Sequence, residues 1–119
     1  MLFVDSSVLI AFLNEADALH DRALAAELGD GVINQLVLAE VANVLQKRVR
    51  NKHAALGAVK EVLDNVPIIS LENDDVAKCF KVFADNFPKI SFTDASLLFQ
   101  AKKHGARLVT FDEELKALF

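Results

Sequence analysis

The stretch Leu2-Phe3-Val4-Asp5-Ser6-Ser7-Val8-Leu9-Ile10 decides the fold. Three apolar residues in a row read as a short strand buried on both faces, the pattern of a parallel sheet and not of a half-solvated one. The run breaks at Asp5-Ser6-Ser7 and resumes as an apolar helix from about Val8. A strand that ends on an acid and passes directly into a helix is the opening of a β-α unit.

The same alternation continues along the chain. A second helix is expected over about Ala18–Leu28, ending at the turn Gly29-Asp30-Gly31. Val32-Ile33 is the next strand candidate, and Asn34 caps a long helix over about Gln35–Arg50. A further helix runs from about Lys52 to Asn65, bounded by Pro67, and Ile68-Ile69 is a third strand candidate. Asn73 or Asp74 is expected to cap the helix that carries Cys79, which ends near Phe87-Pro88. Ser91 opens another helix that stops at Gly105, a C-terminal cap residue. Leu108-Val109 is the fourth strand, and Asp112 opens the last helix. Strands alternating with helices predict an α/β fold with a mainly parallel sheet. Ligands in such folds bind at the carboxyl ends of the strands, near the point where strand order reverses.

Length and composition narrow the class. The 119 residues suit one domain over residues 1–119, and 53% hydrophobic content supports a packed core, not a disordered chain. The single cysteine, Cys79, makes neither an intrachain disulfide nor a cysteine-based zinc site, and its apolar neighbours Val76, Phe80 and Phe83 predict a buried core thiol. Lack of a disulfide framework suits a reducing compartment. The apolar start Met1–Leu13 contains Asp5, lacks a basic beginning and is shorter than the ~20 residues that span a bilayer. A cytoplasmic protein without membrane association is therefore expected. His20, His53 and His104 are isolated and form no ligand motif.

Four acids stand out. Asp5 follows the first strand, and Asp112 follows the last in Leu108-Val109-Thr110-Phe111-Asp112, so both fall at the sheet's carboxyl edge. Asp94 lies in the first turn of the helix opened by Ser91. Glu40 sits within Leu36-Val37-Leu38-Ala39-Glu40-Val41-Ala42, where an unpaired carboxylate is costly to bury. Each has an ordinary alternative: Asp5 as a helix cap, Asp94 as the third member of a capping box, Asp112 as an N-cap, Glu40 as a solvated helix residue. Together they predict a carboxylate cluster that calls for a cation, and an oxygen-only donor set suits Mg²⁺ or Mn²⁺. The formal charge is −4, with 17 acids against 13 Lys and Arg, so these four acids equal the whole acidic excess.

The segments Phe3-Val4-Asp5-Ser6-Ser7-Val8-Leu9-Ile10, Leu38-Ala39-Glu40-Val41, Phe92-Thr93-Asp94-Ala95-Ser96-Leu97 and Leu108-Val109-Thr110-Phe111-Asp112 together resemble a PIN domain. Within that family they are most similar to short VapC-type ribonuclease toxins, and the resemblance covers nearly the whole chain. It implies a three-layer α/β/α sandwich with a parallel sheet of four or five strands. The number is left open because family members often carry a strand after the last acidic helix, whereas the sequence ends at Phe119. It implies metal-dependent hydrolysis of RNA, with Asp5, Glu40, Asp94 and Asp112 as catalytic metal ligands, Asp112 often through water. It matches Ser7 and Thr110 to positions that support the acidic cluster. It also implies a cognate antitoxin, as in type II toxin–antitoxin pairs, and a homodimer.

The basic stretch Lys47-Arg48-Val49-Arg50 ends the helix bearing Glu40. Lys47, Arg48 and Arg50 are candidate RNA or partner contacts, or simply cations complementing a helix C-terminus. Two other acid-lined folds are disfavoured. A receiver domain wants an Asp after the third strand, where this chain has Ser70-Leu71, and a haloacid-dehalogenase-type phosphatase wants Asp-x-Asp where it has Asp5-Ser6-Ser7. The competing reading is a PIN-fold binding module with little or no catalysis, acting through a partner.

Overall fold

The computed structural model describes residues 1–119. Its elements are β1 (Leu2–Val4), α1 (Ser6–Leu13), α2 (His20–Ala25), β2 (Gly31–Val32), α3 (Gln35–Arg48), α4 (Lys52–Asn65), α5 (Asn73–Asp85), α6 (Phe92–Lys103), β3 (Arg107–Val109) and α7 (Glu113–Leu118). The strands form one parallel sheet in the order β2-β1-β3. The first crossover leaves β1 on one side and the last returns on the other, so strand order reverses at β1. Right-handed crossovers then place the helices before and after that reversal on opposite faces of the sheet.

The sheet has three strands, not the four or five expected from the sequence. Ile68-Ile69 contributes one parallel bridge, to Ile33, through Ile33 N–H to Pro67 O at 3.1 Å and Ile69 N–H to Ile33 O at 2.7 Å. Pro67 has no N–H to extend the ladder. Beyond the bridge, side chains replace strand pairing. Gln35 accepts from Leu71 N–H at 2.8 Å and donates to Leu71 O at 3.0 Å, while Gln100 donates to Ile69 O and Ser70 O, both at 3.3 Å. No strand follows α7 within these residues.

Two other local expectations change. The second helix covers only His20–Ala25, because Asn14 and Asp17 side chains accept from Ala16 N–H (3.1 Å) and Leu19 N–H (2.8 Å) and hold the preceding segment in turns. Helix α5 is preceded by Glu72, which makes no side-chain cap bond, and Asn73 and Asp74 lie inside the first turn.

Elsewhere the local chemistry acts as read. Asn34 caps α3 by accepting from Val37 N–H at 2.9 Å. Ser91 and Asp94 form a reciprocal capping box on α6. Gly105 takes a positive φ of 59° just after α6, where a side chain would be strained. The core gathers Phe3, Val8, Ile33, Val37, Val41, Leu45 and Leu97, all fully buried, and Cys79 is also buried. A buried polar bridge crosses the fold: Asn34 donates to Ser96 Oγ (3.0 Å) and Gln100 Oε1 (2.9 Å), tying the start of α3 to α6.

Candidate active site

The β1–β3 ladder runs straight into the acids. Asp5 N–H donates to Val109 O at 2.9 Å, which fixes Asp5 at the carboxyl end of β1, beside the strand-order reversal. Asp5 precedes α1, but its side chain makes no capping bond. Its Oδ2 instead accepts from Thr110 Oγ1 at 2.6 Å and Ser7 Oγ at 3.0 Å. Thr110 is itself oriented by Asp112 N–H, which donates to Thr110 Oγ1 at 3.0 Å. Asp5 is 3% exposed, and burial, its largest influence, pushes its carboxyl above the usual range; the Thr110, Ser7 and Ser6 bonds pull it down, and the charge of Glu40 raises it again.

Glu40 projects from α3 and is half-buried. Ser6 Oγ donates to Glu40 Oε1 at 2.6 Å and lies 3.4 Å from Asp5 Oδ1. A hydroxyl has one proton, so the short bond goes to Glu40 and Asp5 Oδ1 receives little. Ser6 was not among the sequence candidates. Its signal was weak: it adjoins Asp5, but its partner lies 34 residues away.

Asp94 and Asp112 are helix-start residues and face the same cluster. Asp94 Oδ2 accepts from Ser91 N–H at 3.1 Å. Burial raises its carboxyl most; the Ser91 bonds oppose this, and the charges of Asp5 and Asp112 add to the rise. Asp112 Oδ1 accepts from Glu114 N–H at 2.9 Å and Leu115 N–H at 3.4 Å. Glu40, Asp5, Asp94 and Asp112 thus form a chain of like charges that repel neighbour to neighbour. None of them has a Lys or Arg ion pair.

No three acidic, histidine or cysteine side chains converge closely enough to form a finished metal cage. The caps account for part of this, since they turn one oxygen each of Asp94 and Asp112 toward its own helix. The donor set nevertheless fits a hard cation. Glu40 Oε2, Asp94 Oδ1 and Asp112 Oδ2 have no protein hydrogen bond, and all the candidate donors are oxygens.

The basic candidates divide. Lys47 and Arg50 are exposed, and Arg50 lies in a groove of about 490 Å³ between α3 and α4 that contains none of the four acids. Arg48 is four residues on from Val44 and eight from Glu40 on α3; it sits 3.6 Å from Asp17 in a cavity of about 230 Å³ shared with Ser6, Ser7 and Glu40. A cation the sequence reading missed is Arg22, whose guanidinium lies 4.6 Å above the Phe111 ring, between Thr110 and Asp112 in sequence. A cavity of about 660 Å³ between α5, α6 and α7 also lies apart from the acids.

A parallel α/β sheet with carboxylates from four elements at its strand-order reversal defines a class of acid-lined α/β folds. The sequence matches the PIN domain family over residues 2–118, and the chain belongs to that family. Its fold is similar to VapC20 of Mycobacterium tuberculosis, a sarcin–ricin loop cleaving toxin, with TM-score 0.82 and 25% identity over 98% of this chain and 94% of that one. It is also similar to PAE2754 of Pyrobaculum aerophilum, with TM-score 0.71 and 27% identity over 98% and 83% of the two chains. The fold, at 15% identity, extends to FitAcB of Neisseria gonorrhoeae, with TM-score 0.69 over 99% and 92%. No curated protein sequence matches the chain significantly.

Proposed function

We propose that this protein is a divalent-metal-dependent ribonuclease that hydrolyses RNA phosphodiester bonds as the toxin of a type II toxin–antitoxin pair. The observation that carries the reading is the neighbour-to-neighbour repulsion along Glu40, Asp5, Asp94 and Asp112, none of which has a cationic side-chain partner. Likeness to a toxin that cleaves the sarcin–ricin loop supports RNA as the substrate class.

Asp5, Glu40, Asp94 and Asp112 would hold Mg²⁺ or Mn²⁺. When bound, such an ion lowers the pKa of a water and offsets charge on the phosphate oxygens. The chain supplies the rest. Thr110 and Ser7 orient Asp5, Ser6 orients Glu40, and helix starts orient Asp94 and Asp112. None of the three histidines hydrogen-bonds to any of these four acids, and His20 Nδ1 is engaged with Ala11 O at 2.7 Å. The exposed apolar side chains Leu56, Leu63, Phe80 and Phe87 offer surface for an antitoxin or a second copy of the chain. No helix is long and apolar enough to cross a membrane, and a cytoplasmic location completes the proposal.

The test incubates purified protein with mixed RNAs in Mn²⁺ or Mg²⁺, with and without chelator. Cleavage is expected only with metal, and Asp5→Asn and Asp94→Asn should abolish it. Cleavage that survives chelation or either substitution refutes the reading. Metal binding without cleavage of any RNA supports instead a PIN-fold binding module that acts through a partner.

A further inference from the structure

The cavity of about 230 Å³ beside the acids lies between α1, α3 and the segment joining α1 to α2. Glu40, Asp17 and Arg48 line it with the hydroxyls of Ser6 and Ser7, and Ile10, Leu19 and Val44 supply its apolar surface. Glu40, Val44 and Arg48 recur every four residues and so share one face of α3.

We infer that this cavity is a subsite for one base of the RNA strand, next to the phosphodiester to be cut, and that Asp17 selects bases bearing an exocyclic amino group over uracil. This deepens the ribonuclease reading and rests on it. Size favours a single planar base: the cavity of about 230 Å³ falls below the roughly 300–1,000 Å³ of pockets for drug-sized ligands, and is too small for a partner's helix. Charge disfavours a phosphate, because two carboxylates face one guanidinium. The apolar walls disfavour a hydrated ion. A neutral ring with an N–H edge satisfies both.

Asp17 is set in place before any ligand arrives. Its Oδ1 accepts from Leu19 N–H at 2.8 Å, its own N–H donates to Asn14 O at 3.0 Å, and its carbonyl accepts from His20 N–H at 3.0 Å. Its Oδ2 has only Arg48 Nη1 at 3.6 Å, beyond hydrogen-bond length, and so retains acceptor capacity. The Asp17 side chain is 15% exposed and that of Arg48 59%, which puts the acceptor inside and the cation on the rim. Cytosine, adenine and guanine each offer an exocyclic amino N–H₂ to such an acceptor; uracil has no amino group, and its N3–H is flanked by two carbonyl oxygens, which a carboxylate repels. Arg48 on the rim is free to meet a backbone phosphate alongside.

The test is fluorescence anisotropy with labelled oligocytidylate and oligouridylate of equal length, in Ca²⁺ buffer, which reads binding and not turnover. Oligocytidylate should bind about tenfold more tightly, the scale of one hydrogen bond to a charged acceptor. Asp17→Asn keeps an oxygen for the Leu19 turn but turns an amide N–H₂ to the cavity, so it should abolish the preference or invert it toward oligouridylate. Arg48→Gln should weaken both RNAs alike. Equal binding of the two RNAs by the native chain overturns the inference, as does a preference that persists in Asp17→Asn. Binding of an arginine-rich peptide through Asp17 while neither RNA binds also overturns it, in favour of a protein side chain as occupant. Metal-dependent RNA cleavage with equal binding sinks the subsite alone. A cytidine preference without cleavage under any divalent ion sinks the ribonuclease reading and leaves a base-reading cavity.

Discussion

Replacing Ser6 by Ala tests whether neutral hydroxyls hold the acids in place. Ser6 Oγ donates to Glu40 Oε1 at 2.6 Å, a charge-assisted bond. Bonds to charged groups contribute about 1.5–3 kcal/mol, and the lower end applies because Glu40 is half-buried and water can replace the donor. Ser6 is also the first residue of α1, where Ala is the better helix former by about 0.5 kcal/mol. The net loss should be about 1 kcal/mol, or about 4 °C in Tm for a chain of this length. The larger effect concerns cation binding. Without Ser6, Glu40 must be ordered at the moment an ion binds, at about 0.5–1.5 kcal/mol for one side chain. Mn²⁺ affinity by calorimetry should therefore fall about three- to tenfold, and RNA cleavage should lose kcat/KM by a similar factor, with KM for RNA little changed. Ser6→Thr keeps the hydroxyl and should restore both. If Ser6→Ala lowers Tm but leaves Mn²⁺ affinity and cleavage at native values, Ser6 is a structural residue and the reasoning fails.

Three other outcomes follow from the geometry. Asp5 and Asp94 have raised carboxyl pKa values, so in the metal-free protein the folded state holds more protons than the unfolded one, and stability falls as pH rises from about 4 through those values. Asp94→Asn should therefore gain stability relative to the native chain in urea melts as pH rises from about 4 through the raised Asp94 value; a pH-independent difference would contradict this. Arg22→Ala loses a cation stacked on Phe111, which should shift Tm little but weaken RNA binding about threefold and lower the salt slope by about 0.7, one phosphate contact on a single strand. Asn34→Ala removes the α3 cap and leaves Gln100 Oε1 buried without a donor, while Ser96 keeps its bond to Thr93 O, so the urea midpoint should fall by the equivalent of about 2 kcal/mol with an unchanged m-value.

What could be read from the sequence was local. The apolar run before Asp5, the Asn34 cap, the Ser91–Asp94 capping box and Gly105 each depend on neighbours within a few residues, and each takes the form expected. Ile68-Ile69 reads as a strand but makes only one bridge, because its pairing is decided elsewhere: Gln35 and Gln100 bind the backbone that a strand would use. The acids could be found because strand ends and helix starts are visible. Their supports could not all be found. The bond from Thr110 to Asp5 spans 105 positions and that from Ser6 to Glu40 spans 34; no spacing rule covers such pairs. Only the family resemblance pointed to Ser7 and Thr110. Arg22 carries no sequence signal because its partner is a ring 89 positions away, not a nearby charge.

The chain also contains its own control for what the acidic group means. Asp75 on α5 is as buried as Asp5, at 5% against 3%, yet it meets Lys103 on α6 at 2.7 Å. There the fold answers a buried carboxylate with a cation, and the pair joins two helices. At the strand-order reversal it answers four carboxylates only with neutral donors: the hydroxyls of Ser6, Ser7 and Thr110 and the backbone N–H groups of Ser91, Glu114 and Leu115. Neutral donors orient a carboxylate and lessen its burial penalty without cancelling its charge. The capping roles of Asp94 and Asp112 are therefore no argument against a metal role. Each cap occupies one oxygen, fixes the side chain on a rigid helix start and leaves the other oxygen with its share of the charge. A Lys or Arg in the same place would neutralise the group and block it. Hydroxyl and amide donors leave a fixed, uncompensated negative site, which a hard cation can neutralise.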